Sequence, residues 1–163
     1  MKIIICGLRG TGKTTLSHDI CDKYNLTYVL DIDVLTDANV VYDGTISSRY
    51  ADTLLDYVST HDDIVLDAEY SIAPIDYIKY DSVGVRIIYL GFASVDEDTL
   101  YRVFRESESN AHYTDDALRE YVHMCKSLSV SYKSECDKHG LEYVDIYKDR
   151  TKILSNILCS IDK

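Results

Sequence analysis

The stretch Gly7-Leu8-Arg9-Gly10-Thr11-Gly12-Lys13-Thr14 matches the phosphate-binding pattern G-x-x-x-x-G-K-[ST]. It follows the apolar, isoleucine-rich run Lys2 to Cys6, which is typical of a buried parallel strand, and it opens the helical segment Thr14 to Asn25. Glycines at these places let successive backbone N–H groups turn toward one phosphate, and the helix start adds partial positive charge. The sequence therefore predicts a nucleoside triphosphate site, with ATP as the nucleotide.

Individual residues of this loop have distinct predicted roles. The Lys13 ammonium is expected to reach the β- and γ-phosphates, and the Thr14 hydroxyl is expected to ligate Mg²⁺. The predicted nucleotide contacts are Gly7, Leu8, Arg9, Gly10, Thr11, Gly12, Lys13, Thr14 and Thr15.

Further along the chain, apolar runs alternate with amphipathic segments. The predicted strands are Tyr28 to Asp31, Asp63 to Asp67, Val85 to Leu90 and Leu141 to Ile146; the predicted helices are Ile46 to Thr60, Asp96 to Glu106, Thr114 to His139 and Asp149 to Ile161. Thr114 is expected to cap its helix and Gly140 to end it. This alternation predicts one α/β domain over residues 1–163, in which a five-stranded parallel sheet lies between two layers of helices. Ligands are expected at the carboxyl ends of the strands.

Acidic residues stand at two predicted strand ends. Asp31 and Asp33 form a D-x-D pair, and residues two apart on an extended chain face the same way. One carboxylate could hold Mg²⁺ through water while the other accepts a proton from an acceptor hydroxyl; alternatively, both cap the next helix or turn. Asp67 ends an apolar run as a metal-supporting acid does, or it is simply a solvated acid. Glu69, close behind it, is a candidate acceptor contact.

Three arginines are candidates for binding anionic groups. Arg102 and Arg105 lie three apart on one predicted helix and precede a polar loop, which predicts a short lid over about residues 105–115. The alternative is an exposed helix surface with ordinary ion pairs. Arg49 is the candidate for an anionic group of the acceptor, although a structural role explains it at least as well.

These ordered features resemble the nucleoside-monophosphate-kinase-like P-loop kinases over essentially the whole chain. Within that group, the length and the D-x-D pair are similar to shikimate kinase. The resemblance implies Asp33 as the catalytic base, Asp31 beside the metal, Arg102 near adenine, Arg105 near the phosphates and a strand order of 2-3-1-4-5. After Asp67 the chain lacks the motifs of shikimate, adenylate and thymidylate kinases, so the acceptor stays open.

Composition limits the partners. The chain has 163 residues and a formal net charge of −11, which disfavours a broad grip on nucleic acid or anionic lipid. Five scattered cysteines form no metal or redox motif, and no run is long enough for a bilayer, so we expect a cytoplasmic monomer or homodimer.

The leading prediction is an ATP-dependent kinase for a small acceptor, either a nucleotide or nucleoside or a shikimate-like hydroxylated metabolite. The alternatives are a polynucleotide 5′-hydroxyl kinase and a nucleotide-dependent switch or ATPase.

Overall fold

The computed structural model of the chain describes residues 1–38, 48–68, 80, 82–107, 110–147 and 149–161. Strands and helices alternate along these ranges, as the sequence pattern predicts. In chain order they are β1 (Lys2–Gly7), α1 (Lys13–Tyr24), β2 (Thr27–Leu30), α2 (Asp31–Asp37), α3 (Ser48–Thr60), β3 (Ile64–Asp67), β4 (Arg86–Gly91), α4 (Glu97–Glu106), α5 (Asp115–His139), β5 (Glu142–Asp145) and α6 (Arg150–Ser160).

The five strands form one parallel sheet in the order β2-β3-β1-β4-β5, which confirms the predicted order. β1 lies in the middle, with β3 on one side and β4 on the other. In the strand register Asp67 is level with Ile5 of β1 and with Leu30 of β2. The carboxyl ends of β1, β2 and β3 therefore meet at one edge of the sheet.

Two apolar cores cover the two faces of the sheet. Because successive strand residues point to opposite faces, Ile3 and Ile5 of β1 lie in one core, while Ile4 and Cys6 lie in the other. The first core contains side chains of α1, α4, α5 and α6, and the second contains side chains of α2 and α3 together with Cys136 of α5. The structure thus confirms the predicted three-layer α/β/α architecture.

Helix ends follow the predicted capping signals. The Thr114 side chain accepts a hydrogen bond from the Ala117 backbone N–H at 3.3 Å, and Gly140 ends α5 with φ of 69°. Asp96 caps α4 in the same way, accepting from the Thr99 N–H at 2.9 Å. Among the helices of the described ranges, none combines the length and hydropathy that crossing a bilayer requires.

The sequence prediction was wrong at the end of β2. The strand stops at Leu30, and the D-x-D pair lies in the first turn of α2, a helix that was not predicted. Two acids in a first helical turn interact favourably with the partial positive charge there. Val34 and Leu35 of the same helix are buried in the second core, so packing also favours the turn away from the sheet.

Candidate functional site

The loop between β1 and α1 has the backbone that its glycines permit. Gly7 and Gly12 have φ of 141° and 96°, which side-chain-bearing residues rarely adopt. A Cβ on Gly7 would lie 2.1 Å from the Leu90 carbonyl oxygen of β4, so this position has no room for one. Thr11 is fully buried, and its hydroxyl donates to the Leu8 carbonyl at 2.7 Å. The loop is therefore held in one shape by the strand beside it and by its own side chain.

A cavity of about 860 Å³ lies over this loop. The Lys13 side chain is only 8% exposed and lines it. The other lining residues come from the loop, from β2, from the end of β3 and from the start of α6: Arg9, Gly10, Gly12, Thr14, Thr15, Tyr28, Leu30, Asp67 and Arg150. Six of the nine predicted loop contacts and Asp67 therefore face one space, whereas Gly7, Leu8 and Thr11 are not among the residues that line it.

Asp67 joins the loop to the sheet. Its Oδ2 accepts a hydrogen bond from the Thr14 hydroxyl at 2.7 Å and another from the Tyr28 hydroxyl at 3.2 Å. Asp67 is 2% exposed, and its Oδ1 has no hydrogen-bond partner among the described residues. Burial and the adjacent Asp67 carboxylate raise the pKa of Tyr28 to about 12, so its hydroxyl keeps the proton that it donates.

The donor set at Asp67 fits magnesium. Mg²⁺ prefers oxygen ligands, keeps several waters, and is usually held by one or two carboxylates together with substrate phosphates. Thr14 supplies a hydroxyl oxygen, and Asp67 supplies a buried carboxylate oxygen that lacks a partner within the described ranges. No three His, Cys, Asp or Glu side chains of the described residues cluster closely enough to hold a metal by themselves. Such a site can hold a metal ion that has few protein ligands.

The D-x-D pair does not meet this cluster. Asp31 is fully buried and accepts a hydrogen bond from the Tyr50 hydroxyl, while Asp33 is exposed. Residues two apart on a helix point in different directions, so the expectation that Asp31 and Asp33 face the same way was wrong. Neither acid lines the cavity over the loop. Burial, and then the neighbouring Asp31 carboxylate, raise the pKa of Tyr50.

The two arginines of the predicted pair contact residues of α4, of α5 and of the loop between them. The Arg102 guanidinium donates to the Asp98 carbonyl at 3.3 Å and to the Thr99 hydroxyl at 3.2 Å. Arg105 donates to the Tyr113 carbonyl at 3.0 Å and forms an ion pair with Asp115.

Arg105 thus connects the end of α4 to the start of α5. Neither arginine lines any of the three cavities that adjoin the phosphate loop. In this structure Arg105 has an ion pair of the kind that the surface alternative expects, and Arg102 has hydrogen bonds within α4.

Arg150 occupies the position next to the loop. A Cβ on Gly12 would lie 2.8 Å from the Nε and Nη2 atoms of Arg150, so the guanidinium packs directly on the loop backbone. Arg150 also lines two smaller cavities beside Gly10 and Val103. The sequence analysis missed this residue, although it follows the fifth predicted strand, where the rule that ligands bind at carboxyl ends applies equally.

The two smaller cavities differ in character. One, of about 330 Å³, has a mainly apolar lining that includes Val95, Leu100, Val103 and Tyr147. The other, of about 250 Å³, contains Arg9, Ser107, Asn110 and Tyr121. The Asn110 amide donates to the Phe104 carbonyl at 3.1 Å, and its Oδ1 is buried without a hydrogen-bond partner in the described ranges.

Two predicted acceptor contacts lie outside the described part of the chain. Arg49 belongs to α3, but its side chain is not among the described residues, and neither is Glu69. Tyr50, the residue after Arg49 in α3, is 2% exposed and belongs to the second core.

No protein-family model and no curated protein sequence matches this chain. Solved structures do. A shikimate kinase from Bacteroides thetaiotaomicron superposes with a TM-score of 0.66 at 14% identity, covering 100% of this chain and 99% of that one. The chain has the P-loop kinase fold.

Two further structures extend this likeness of fold. A gluconokinase from Sinorhizobium meliloti 1021 gives a TM-score of 0.65 at 11% identity, covering 99% of this chain and 91% of its own. The YorR protein from Bacillus subtilis, in complex with phosphorylated GDP, gives 0.64 at 9% identity, with coverage of 99% and 96%. At these identities the P-loop kinase fold is shared, and the substrates of those proteins belong to them.

Proposed function

We propose that this protein is an ATP-dependent kinase that transfers the γ-phosphoryl group to a small acceptor. The observation that carries the proposal is the Thr14 to Asp67 hydrogen bond of 2.7 Å, formed in the same cavity that Lys13 lines. A phosphate loop alone indicates nucleotide binding. A loop hydroxyl that is hydrogen-bonded to a buried acid at the end of β3, the strand beside β1 in the sheet, also supplies a place for Mg²⁺.

Lys13 and Arg150 place positive charge of the chain itself at the phosphate cavity. Lys13 is nearly buried, which strengthens its attraction to a phosphate because little water screens it. The guanidinium of Arg150, packed against Gly12, can reach the same phosphates or stack on the base. Thr14 and Asp67 would hold Mg²⁺, and the bound ion would neutralise charge that develops on the transferring phosphoryl group.

The donor base fits best in the apolar cavity between α4 and the start of α6. Val103 is 56% exposed although it is apolar, and Tyr147 and Arg150 line the opposite side. An aromatic base between these side chains would cover the exposed valine. Arg102, which is bonded to its own helix, is a weaker candidate for this contact. We retain the segment of residues 105–115 as the proposed lid, in which Arg105 forms an ion pair with Asp115.

On the acceptor side, Asp33 is our candidate base. Of the three acids at these strand ends, Asp31 and Asp67 are buried, whereas Asp33 is exposed and can meet an acceptor hydroxyl. Arg49 and Glu69 remain candidate acceptor contacts. A nucleotide or nucleoside is the leading acceptor class, because the YorR structure with phosphorylated GDP shares this fold. Hydroxylated metabolites come next, since shikimate kinase and gluconokinase share it too.

The test is a screen of ATP consumption over nucleosides, nucleoside monophosphates and hydroxylated metabolites, in the presence of MgCl₂. The expected result is one acceptor class that stimulates ATP consumption and appears as a phosphorylated product by mass spectrometry. A short oligonucleotide with a 5′-hydroxyl is included to separate the polynucleotide alternative. Slow hydrolysis that no acceptor stimulates would contradict the kinase proposal and favour a nucleotide-dependent switch.

A further inference from the structure

Tyr28 is a polar residue in the cavity that neither the phosphate-loop pattern nor the strand-end acids account for. Its hydroxyl donates to Asp67 Oδ2 at 3.2 Å, the same oxygen that accepts from Thr14 at 2.7 Å. Its ring stacks on His18 of α1, with centroids 4.2 Å apart and planes 22° from parallel. Tyr28 is thus fixed by the sheet, by a ring contact and by the carboxylate together.

The two oxygens of Asp67 are therefore in different situations. Two donors converge on Oδ2, whereas Oδ1 is buried and has no hydrogen-bond partner within the described ranges. A carboxylate can rotate about its terminal bond, and one hydrogen bond restrains that rotation less than two do. Because the two donors hold Oδ2, the orientation of the whole carboxylate is fixed. Oδ1 is then the oxygen left to accept a hydrogen bond from a water of a bound metal ion.

The two donors are not equivalent when a metal is present. Thr14 is exposed, and its hydroxyl must also offer an oxygen lone pair to the ion. Tyr28 lies outside the phosphate loop and is held by the His18 ring, so its hydroxyl is not needed as a ligand. Groups that orient a metal-binding carboxylate without touching the metal often set the affinity for it.

We propose that Tyr28 is a positioning residue that holds Asp67 in the orientation required for magnesium, and so sets the Mg²⁺ affinity of the nucleotide complex. This inference rests on the proposed function, because it assumes that MgATP is the ligand. It assigns no chemical step to the tyrosine. Its effect is on metal binding, and it is measured without an acceptor.

The experiment measures ATP binding by the 163-residue chain at increasing Mg²⁺ concentrations, beginning with EDTA and no added Mg²⁺. Binding is measured by isothermal titration calorimetry. For Tyr28→Phe we expect the half-saturating Mg²⁺ concentration to rise about tenfold. ATP affinity in EDTA should stay within about twofold of the unsubstituted protein, because the substitution leaves Lys13 and the backbone N–H groups of the phosphate loop unchanged. The His18 stack is retained, since phenylalanine keeps the ring.

The matched control is Tyr24→Phe. Tyr24 also donates through its hydroxyl at 3.2 Å, but to the Leu158 carbonyl, on the far part of α1. This variant loses a tyrosine hydrogen bond of the same length, and its Mg²⁺ titration should match that of the unsubstituted protein. In an Asp67→Asn background, Tyr28→Phe should add less than about twofold, because its target is already changed.

Three results would overturn the inference, and they are distinguishable. If the unsubstituted protein binds ATP in a Mg²⁺-dependent way and Tyr28→Phe titrates identically, the positioning role is wrong and the proposed function stands. If the unsubstituted protein shows no Mg²⁺-dependent ATP binding, both the inference and the proposed function fail. An equal loss in EDTA and in Mg²⁺ would show a general structural role and would also overturn it.

Discussion

The proposed donor side and the proposed acceptor side of the site are built differently. At the ends of β1 and β3, the exposed Thr14 and the partly buried Tyr28 both donate hydrogen bonds to the buried Asp67. At the end of β2, helix α2 turns Asp31 inward to Tyr50 and leaves Asp33 in solvent. The donor side is therefore preorganised by its own hydrogen bonds, whereas Asp33 on the proposed acceptor side is open to solvent.

Lys13→Ala tests the donor side most severely. Lys13 is the ammonium group in the phosphate cavity, so we expect phosphoryl transfer to fall on the order of 10³-fold. The measurement is transfer of labelled γ-phosphate to the best acceptor of the screen. Lys23→Ala, which changes a lysine bonded to the Leu158 carbonyl, is the control and should leave transfer unchanged. Near-normal transfer by Lys13→Ala would remove the loop from the chemistry.

Asp33→Asn tests whether the exposed acid of the acceptor side acts as a base. A general base contributes on the order of 10²-fold or more, so we expect kcat to fall by about that factor while ATP affinity stays constant. Steady-state kinetics with saturating ATP give kcat, and calorimetry gives the affinity. Turnover equal to that of the unsubstituted protein would show that Asp33 is only a first-turn acid of α2.

Asp67→Asn and Asp31→Asn form a matched pair, since each removes one charge from a buried acid. For Asp67→Asn we expect the half-saturating Mg²⁺ concentration to rise roughly 10- to 100-fold. For Asp31→Asn we expect an unchanged Mg²⁺ titration and a loss of about 1–3 kcal/mol in the free energy of unfolding, because the Tyr50 contact is altered. Calorimetry and urea unfolding measure the two effects. Should Asp31→Asn shift the Mg²⁺ titration instead, the two sides share the metal.

Arg150→Ala against Arg102→Ala is the smallest test. Because Arg150 packs on Gly12 and lines the phosphate cavity, its removal should weaken ATP binding about tenfold, the loss of roughly one charge-assisted hydrogen bond. Arg102→Ala should leave ATP binding unchanged, since its described contacts are Asp98 and Thr99. Fluorescent ATP-analogue binding measures both. The reverse order would restore Arg102 as the base contact.

Sequence prediction succeeded where the residues that define a feature are neighbours in the chain, and it failed where the feature depends on residues far apart in the chain. The loop from Gly7 to Thr14 was predicted because its glycines and its lysine are contiguous and define the backbone shape themselves. The helix caps Thr114 and Gly140 were predicted for the same reason. At Asp31 the prediction failed, because the choice between one more strand residue and a helix start depended on burial of Val34 and Leu35.

Arg150 and Tyr28 had no local signal strong enough to identify them. Arg150 lies about 140 residues from the loop that it contacts, and only the sheet order brings the start of α6 to Gly12. Tyr28 occupies an ordinary strand position, and tyrosine is common in strands. Its hydroxyl became informative only when the pairing of β2 with β3 placed it near Asp67.

By itself, then, the sequence determined the α/β alternation, the parallel sheet and the phosphate loop, because hydrophobic period and glycine chemistry act over neighbouring residues. Tertiary structure alone decided which polar groups meet. Thr14, Tyr28 and Asp67 come from three separate elements, and their hydrogen bonds exist because three parallel strands end at one edge. The direction of each side chain there depends on packing against distant residues, which no local pattern contains.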